Sequence, residues 1–264
     1  MYNDYVILNS TFSIPMSQFQ IFTDEEIELV REGGKILRDC LDFMGQEVGI
    51  GVTTKDLDRK AEEFIRSHNG AEPGFKGYHG FPATLCTSVN EECVHGIPGD
   101  RVLQDGDIIS VDCGVRMHGF YTDACRTFPI GNISDEAQKL MAATQGALNA
   151  AEKILKAGVH VGDVSSAVQQ YAESQGFTVV RSLTGHGLGK DLHQFPDIPN
   201  FGEAGTGAVF PVKTLVAIEP IIATGEYQVI QSKDGWTLSM KDKGLSAHFE
   251  HTFVVWEDKC EIIA

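Results

Sequence analysis

Two aspartates, Asp112 and Asp123, stand inside stretches that otherwise read as buried strand: "IISVDCGV" (108–115) and "FYTDACRTF" (120–128). Burying one unpaired carboxylate is costly, and burying two side by side is worse. The turn between the stretches falls near His118 and Gly119. A two-residue loop at Met117-His118 sets the aspartates directly opposite each other, and one at His118-Gly119 sets them one diagonal apart. Either register leaves both carboxylates on one face, because strand side chains alternate with period two. A three-residue loop would separate them. Such a pair has three ways to coexist: one carboxyl keeps its proton, an arginine intervenes, or a divalent cation binds both. By alternation Arg126 points away from Asp123, whereas Arg116 shares the face of Asp112 but lies near the turn.

Further candidates lie in the second half of the chain. His186 sits between glycines in "TGHGLG", and flanking glycines let the backbone approach another group closely. Glu219 ends the apolar run "TLVAIEP", just before a proline that limits the strand ladder. Glu250 interrupts another apolar strand in "AHFEHTFVVW". Singly, each has an ordinary explanation as a turn residue or a solvated strand end. Together, four acids and one imidazole suit Mn²⁺, Fe²⁺, Co²⁺ or Zn²⁺, and several carboxylates can serve a pair of cations. Two such ions about 3.5–4 Å apart form a hydrolytic centre.

These residues need elements to hold them. "TDEEIELVREGG" opens a helix with Thr23 as N-cap and Glu26 at the capping-box position, and a second helix begins near Thr53-Thr54 and stops by Gly70. Short strands are expected from about Ala83 to Phe128. A second helical pair follows, in "SDEAQKLMAATQGALNAAEKILKAG" and "VGDVSSAVQQYAESQG", and strands dominate from Phe177 onward. The order helix–helix–strands thus occurs twice, which predicts an α+β fold of duplicated, pseudo-twofold halves with the site in the cleft between them.

Composition sets bounds. The 264 residues suffice for a sizeable core, and the formal net charge of −16 argues against nucleic acid or an anionic membrane as main partner. No apolar run is long enough to cross a bilayer, and "MYNDYVILNS" lacks the basic start of a secretory signal, so a cytoplasmic location is expected. Six scattered cysteines without CxxC spacing read as reduced thiols.

The motifs "GYHGFP" (77–82), "NEECVHGIP" (90–98), "VDCG" (111–114), "TDACRTF" (122–128), "GHGLG" (185–189), "IEP" (218–220) and "FEHT" (249–252) closely resemble those of type I methionine aminopeptidases, metallopeptidases of the duplicated pita-bread fold. The resemblance runs from about Thr23 to Ala264, with halves at about 23–130 and 131–264 and residues 1–22 as an N-terminal extension. It implies that Asp112, Asp123, His186, Glu219 and Glu250 ligate two divalent ions (Co, Mn, Fe or Zn). Asp123 and Glu250 would bridge them, Asp112 would complete one site, and His186 and Glu219 the other.

The same resemblance implies removal of N-terminal methionine before a small second residue, by a hydroxide bridging the metals. Glu219 would carry the proton. His95 would contact the substrate main chain, and His193 would donate to the carbonyl oxygen as it becomes an oxyanion. Phe75, Tyr78, Phe81 and Trp236 would wall the methionine pocket. The expected partners are peptides and nascent chains, with a transient ribosome encounter, for a monomer without a nucleic-acid or membrane role. Prolidase-like relatives generally carry a large N-terminal domain, whereas only about twenty residues precede the match here. A non-catalytic relative would be expected to lose ligands, and all five positions are filled. Two departures stand out: Gln194 where the family usually has an acid, and His248 where it often has glutamine. His68, His79, His118, His160, His248 and His251 receive no role.

Overall fold

Thr23 caps the first helix as its spacing predicts: its hydroxyl accepts from the Glu26 N–H, and the Glu26 carboxylate accepts from the Thr23 N–H. The computed structural model describes residues 18–264. In chain order the elements are α1 (Asp24–Glu47), α2 (Thr54–Arg66), β1 (Ala71–Pro73), a 3-10 turn at Tyr78–Gly80, β2 (Leu85–Val89), β3 (Glu92–Val94), β4 (Ile108–Met117) and β5 (Phe120–Pro129). The second half continues with α3 (Asp135–Ile154), α4 (Val161–Ser174), β6 (Thr178–Val179), β7 (Thr184–Gly187), β8 (Gln194–Pro199), β9 (Leu215–Ile218) and β10 (Ile221–Ala223). It closes with β11 (Val229–Gln231), β12 (Leu238–Met240), β13 (Ser246–His248), β14 (His251–Val255) and β15 (Cys260–Ile262). Two helices followed by strands occur twice, as the sequence pattern predicts. Strand β1 was not expected: three residues are too few for any periodicity to register.

The β4–β5 hairpin resolves the register. Met117 pairs with Phe120, so the loop is His118-Gly119, and both loop residues have positive φ (53° and 81°). That is the type I′ turn whose twist matches the flanking strands. Asp112 therefore pairs with Cys125 and Asp123 with Gly114, which leaves the aspartates one diagonal apart on a shared face. The alternate residues of β4, Ile109, Val111, Cys113 and Val115, are buried in a core with Leu37, Leu41 and Met44 of α1 and Leu57 of α2. Cys113 and Cys125 consequently point to opposite faces, and all six cysteines are free thiols.

The aspartate face of the hairpin meets the second half of the chain rather than water. Cys125 and Glu250 form an antiparallel bridge. Beside it, the Thr252 hydroxyl donates to the Asp123 carbonyl at 2.7 Å and accepts from its N–H at 2.9 Å. The Thr127 hydroxyl likewise donates to the His248 carbonyl at 2.8 Å. The chain end reinforces this seam on the helix side, where Glu261 accepts two 2.8 Å hydrogen bonds from Arg31 of α1. The second-half sheet runs β15-β14-β9-β7-β8, so three ligand-bearing segments lie around neighbouring strands. Two aromatic residues ahead of α1 also pack inward: Phe22 is 1% exposed and meets Phe120 edge-on, while Phe19 meets Phe195. The remainder of the expected N-terminal extension, residues 1–17, lies outside the described residues.

Thr252→Val keeps the side-chain shape and strips both hydrogen bonds from the buried Asp123 backbone. The variant should lose about 1–3 kcal/mol of stability in denaturant unfolding. Parental stability would mean that the seam is held elsewhere.

Candidate metal centre

Each candidate ligand sits where a ladder fixes its backbone. Asp112 is on β4 and Asp123 on β5; His186 is on β7, between β8 and β9; Glu219 follows β9 directly; Glu250 lies between β13 and β14. The glycines beside His186 permit the close packing their pattern predicts. A Cβ at Gly185 would come within 2.5 Å of the Ala217 carbonyl oxygen, and one at Gly187 would collide with that of Phe195. Both obstacles are backbone, so neither site admits a side chain without moving a strand. Pro220 separates β9 from β10, and Asn200 donates to the Glu219 carbonyl at 2.9 Å, which fixes the residue at the ladder's end.

The five side chains converge. Ligand atoms of Asp123, His186 and Glu250 all lie within 4.8 Å of one another. His186 Nε2 is 3.8 Å from Asp123 Oδ2 and 3.6 Å from Glu219 Oε1. The other ring nitrogen of His186 lies 3.0 Å from the Gly187 carbonyl. A carbonyl only accepts, so Nδ1 carries the proton and the Nε2 lone pair faces the carboxylates, the arrangement a metal-ligating imidazole needs. Asp112 stands close enough to Asp123 for each to perturb the other.

Of the three ways to reconcile the aspartates, arginine is ruled out. Arg116 pairs with Glu72 across the β1–β4 register and lies over the Tyr121 ring, and Arg126 pairs with Asp42. Burial pushes Asp112 up to about 7 and raises Asp123, Glu219 and Glu250 as well. Burial likewise pushes His186 down to about 4, which keeps its lone pair available. Protonated or not, Asp112 Oδ1, Asp123 Oδ1 and Glu250 Oε1 are buried without any hydrogen-bond partner. Three orphaned carboxylate oxygens in one place are costly unless something binds them. Oxygen donors with one neutral imidazole fit divalent first-row cations.

The cluster forms the floor of a cleft of about 530 Å³, including its open mouth. Phe75, Tyr78, Phe81 and Trp236 all line it, with Phe81 and Trp236 edge-on at 5.2 Å. Gly114 makes room for this wall, since a Cβ there would lie 2.6 Å from Phe75 Cε1. His95 also faces the cleft from a backbone with φ of 57°, a conformation unusual for a side-chain-bearing residue and frequent at functional sites. His193 stands at the exposed mouth; its Nδ1 is 3.3 Å from the Tyr78 hydroxyl and its ring 4.3 Å from that of His186. Gln194 turns toward the N-terminal segment, donating to Gln20 at 2.9 Å.

Four cleft residues received no role in the sequence reading: Cys86, Val94, Leu192 and His248. Cys86 pairs with Asp112 across β2 and β4 and so shares its face, a relation invisible until the pairing is known. Leu192 directly precedes His193. His248 lies two residues before Glu250, a strand-like spacing that could have marked it. Its Nε2 is buried without a hydrogen-bond partner, and burial pushes the imidazole down to about 3.

Known proteins are similar to this chain in sequence and in fold. The chain is 46% identical to a methionine aminopeptidase of Clostridium perfringens over 91% of its length and 96% of that protein. It is 42% identical to methionine aminopeptidase 1 of Bacillus subtilis over 91% and 97%. The crystal structure of methionine aminopeptidase from Rickettsia prowazekii superposes with a TM-score of 0.91 at 39% identity, covering 93% of this chain and 99% of that one. Prolidase from Pyrococcus furiosus, at 20% identity and a TM-score of 0.74, shares the fold alone, over 64% of its own chain. The pita-bread expectation therefore holds. A model of metallopeptidase family M24 matches residues 28–257, and with the relatives above it makes this chain a member of that family.

Proposed function

We propose that this protein hydrolyses the first peptide bond of chains beginning with methionine, favouring a small second residue, in a metal-dependent reaction. One observation carries the reading: a buried cluster of carboxylates and an imidazole, with three orphaned oxygens, floors a cleft walled by aromatic side chains. Asp112, Asp123, His186, Glu219 and Glu250 would hold two divalent ions drawn from Co, Mn, Fe and Zn, with Asp123 and Glu250 shared between them. Bound there, such ions supply an activated water and polarise the scissile carbonyl.

The chain's own groups account for selection and proton movement. A free α-amine is attracted to the acidic floor, which limits cleavage to the first residue. The methionine thioether packs against the rings of Phe75, Tyr78, Phe81 and Trp236. With the Tyr78 hydroxyl donating to its Nδ1, His193 presents an Nε2–H at the mouth for the carbonyl oxygen as negative charge develops. His95 contacts the substrate main chain. The Glu219 carboxylate would take a proton from the attacking water and return it to the leaving amine. Residues 23–264 act as one catalytic unit, with halves meeting near residue 130. Among the described residues no helix is long and apolar enough to cross a membrane. The protein would work in the cytoplasm as a monomer on peptides and nascent chains, meeting the ribosome transiently.

Chelator-stripped protein resupplied with metal should release methionine from Met-Ala-Ser, with little action on Met-Lys or Ala-Pro peptides. Turnover of the Ala-Pro peptide instead would point to prolidase-like specificity, and silence with every metal would overturn the reading. Protons compete with cations for the raised carboxyls, so apparent metal affinity should climb as pH rises through about 7, the Asp112 value, and go on climbing as the other raised carboxyls lose their protons. Calorimetric titration at several pH values reads this directly; a flat profile from pH 6 to 8 would contradict it. His193→Ala should lower turnover by roughly 10²-fold or more while metal content stays at the parental level. Metal and activity falling together would remove its role as donor.

A further inference from the structure

His248 lies outside the proposed ligand set, yet its surroundings single it out. The residue is 2% exposed. Its backbone is fixed on both edges. On one side it pairs with Ile221 of β10; on the other its N–H donates to the Thr127 hydroxyl at 3.0 Å and its carbonyl accepts from the same hydroxyl at 2.8 Å. The imidazole therefore springs from a rigid root. Its Nε2 is 3.7 Å from Glu219 Oε2 and 3.6 Å from Glu250 Oε2, nearly equidistant from glutamates carried on different segments.

The opposite sides of those glutamates face elsewhere. Glu219 Oε1 points toward His186 Nε2 at 3.6 Å, and Glu250 Oε1 has no partner at all. Glu219 thus turns one oxygen toward His186 and the other toward His248, and Glu250 keeps one buried oxygen unpaired beside the one that faces His248. His248 Nε2 is itself buried and has no hydrogen-bond partner of its own. A buried imidazole nitrogen set between two carboxylates from different segments has the placement of a group that orients them.

We propose that His248 is a positioning residue: its Nε2–H is shared between Glu219 Oε2 and Glu250 Oε2 and fixes the rotation of both carboxylates, so that their remaining oxygens converge on the cation site. This rests on the reading of Glu219 and Glu250 as metal ligands. A shift of about 0.5 Å at each glutamate, within what ligand binding supplies, brings either contact to hydrogen-bond length. Partners behind a ligand sphere commonly govern both ligand orientation and affinity.

The test compares the parent with His248→Leu, which removes the donor at similar bulk, and His248→Gln, which keeps an N–H donor. Each chelator-stripped protein is titrated with Co²⁺ by calorimetry, and the ions bound at saturation are counted. His248→Leu should bind Co²⁺ roughly 10- to 100-fold more weakly than the parent, and His248→Gln should recover most of that loss, with ion count unchanged in all three. Leu binding as tightly as the parent, or Leu and Gln weakened equally, would overturn the proposal. An ion missing at saturation in the Leu variant would make His248 a ligand and overturn it too. Should His248→Leu fail to fold, the visible spectrum of the Co²⁺-loaded Gln variant decides: bands at the parental positions support a group outside the coordination sphere, and displaced bands refute it. No uptake by the parent itself would instead bring down the ligand reading on which this proposal stands.

Discussion

Repulsion among four buried carboxyl groups is the constraint to which the surrounding structure answers. At an effective dielectric of about 20, two unit negative charges 4 Å apart repel by about 4 kcal/mol, before any cost of leaving water. Among the described residues no arginine or lysine lines the cleft: Arg116 and Arg126 are committed to Glu72 and Asp42 on the periphery. The remaining resolutions are protons or cations, and they compete for the same oxygens. Protons relieve the charge but leave buried oxygens unpaired; a divalent cation answers both demands at once. A site of this kind is a poor contributor to stability on its own and makes sense only as a place prepared for something to bind.

Preparation on that scale demands rigidity across a junction, since Asp112 and Asp123 come from one half of the chain and His186, Glu219 and Glu250 from the other. The junction is made of backbone. The Cys125–Glu250 bridge sets a ligand next to a ligand's neighbour, and Thr252 ties the Asp123 peptide on both sides. Inside the first half, the placement depends on a two-residue turn. Moving that loop back by one residue would set Asp112 and Asp123 face to face, and lengthening it by one would put one of them in the helix-facing core. His118 in a left-handed conformation is what the present turn requires.

Much of this was legible in the residues themselves. The cap at Thr23 marks a helix start because capping is local: a hydroxyl reaches an amide a few residues on, as Thr53 and Ser134 also do in the structure. The shared face of the aspartates followed from alternation across a two-residue loop, and the turn of Arg126 away from Asp123 from alternation alone. What stayed hidden depended on long-range pairing. The choice between two hairpin registers, the short β1 that supplies Glu72 to Arg116, and the alignment of Cys86 with Asp112 each need a partner distant in sequence. His248 was passed over for a different reason. Its neighbours Phe249 and Glu250 drew attention to the strand, but only the close approach of Glu219 from another segment gives its nitrogen a context.

The floor and the wall of the cleft are built differently, and this bears on how such a fold divides its labour. The ligands arise from strand ladders or their immediate ends, where register is enforced over many hydrogen bonds. The aromatic wall arises from the segment around the Tyr78–Gly80 turn and from Trp236 just before β12, where the chain is free of ladder constraints. Substitution in the wall leaves the ladders undisturbed, whereas a change of register would scatter the floor. A fold shared with a prolidase at 20% identity is therefore no guide to substrate. On the function proposed above, the ladders would account for the capacity to bind cations and activate water. The choice of methionine would then rest on four aromatic side chains held by loops, and on His193 and Tyr78 at the mouth.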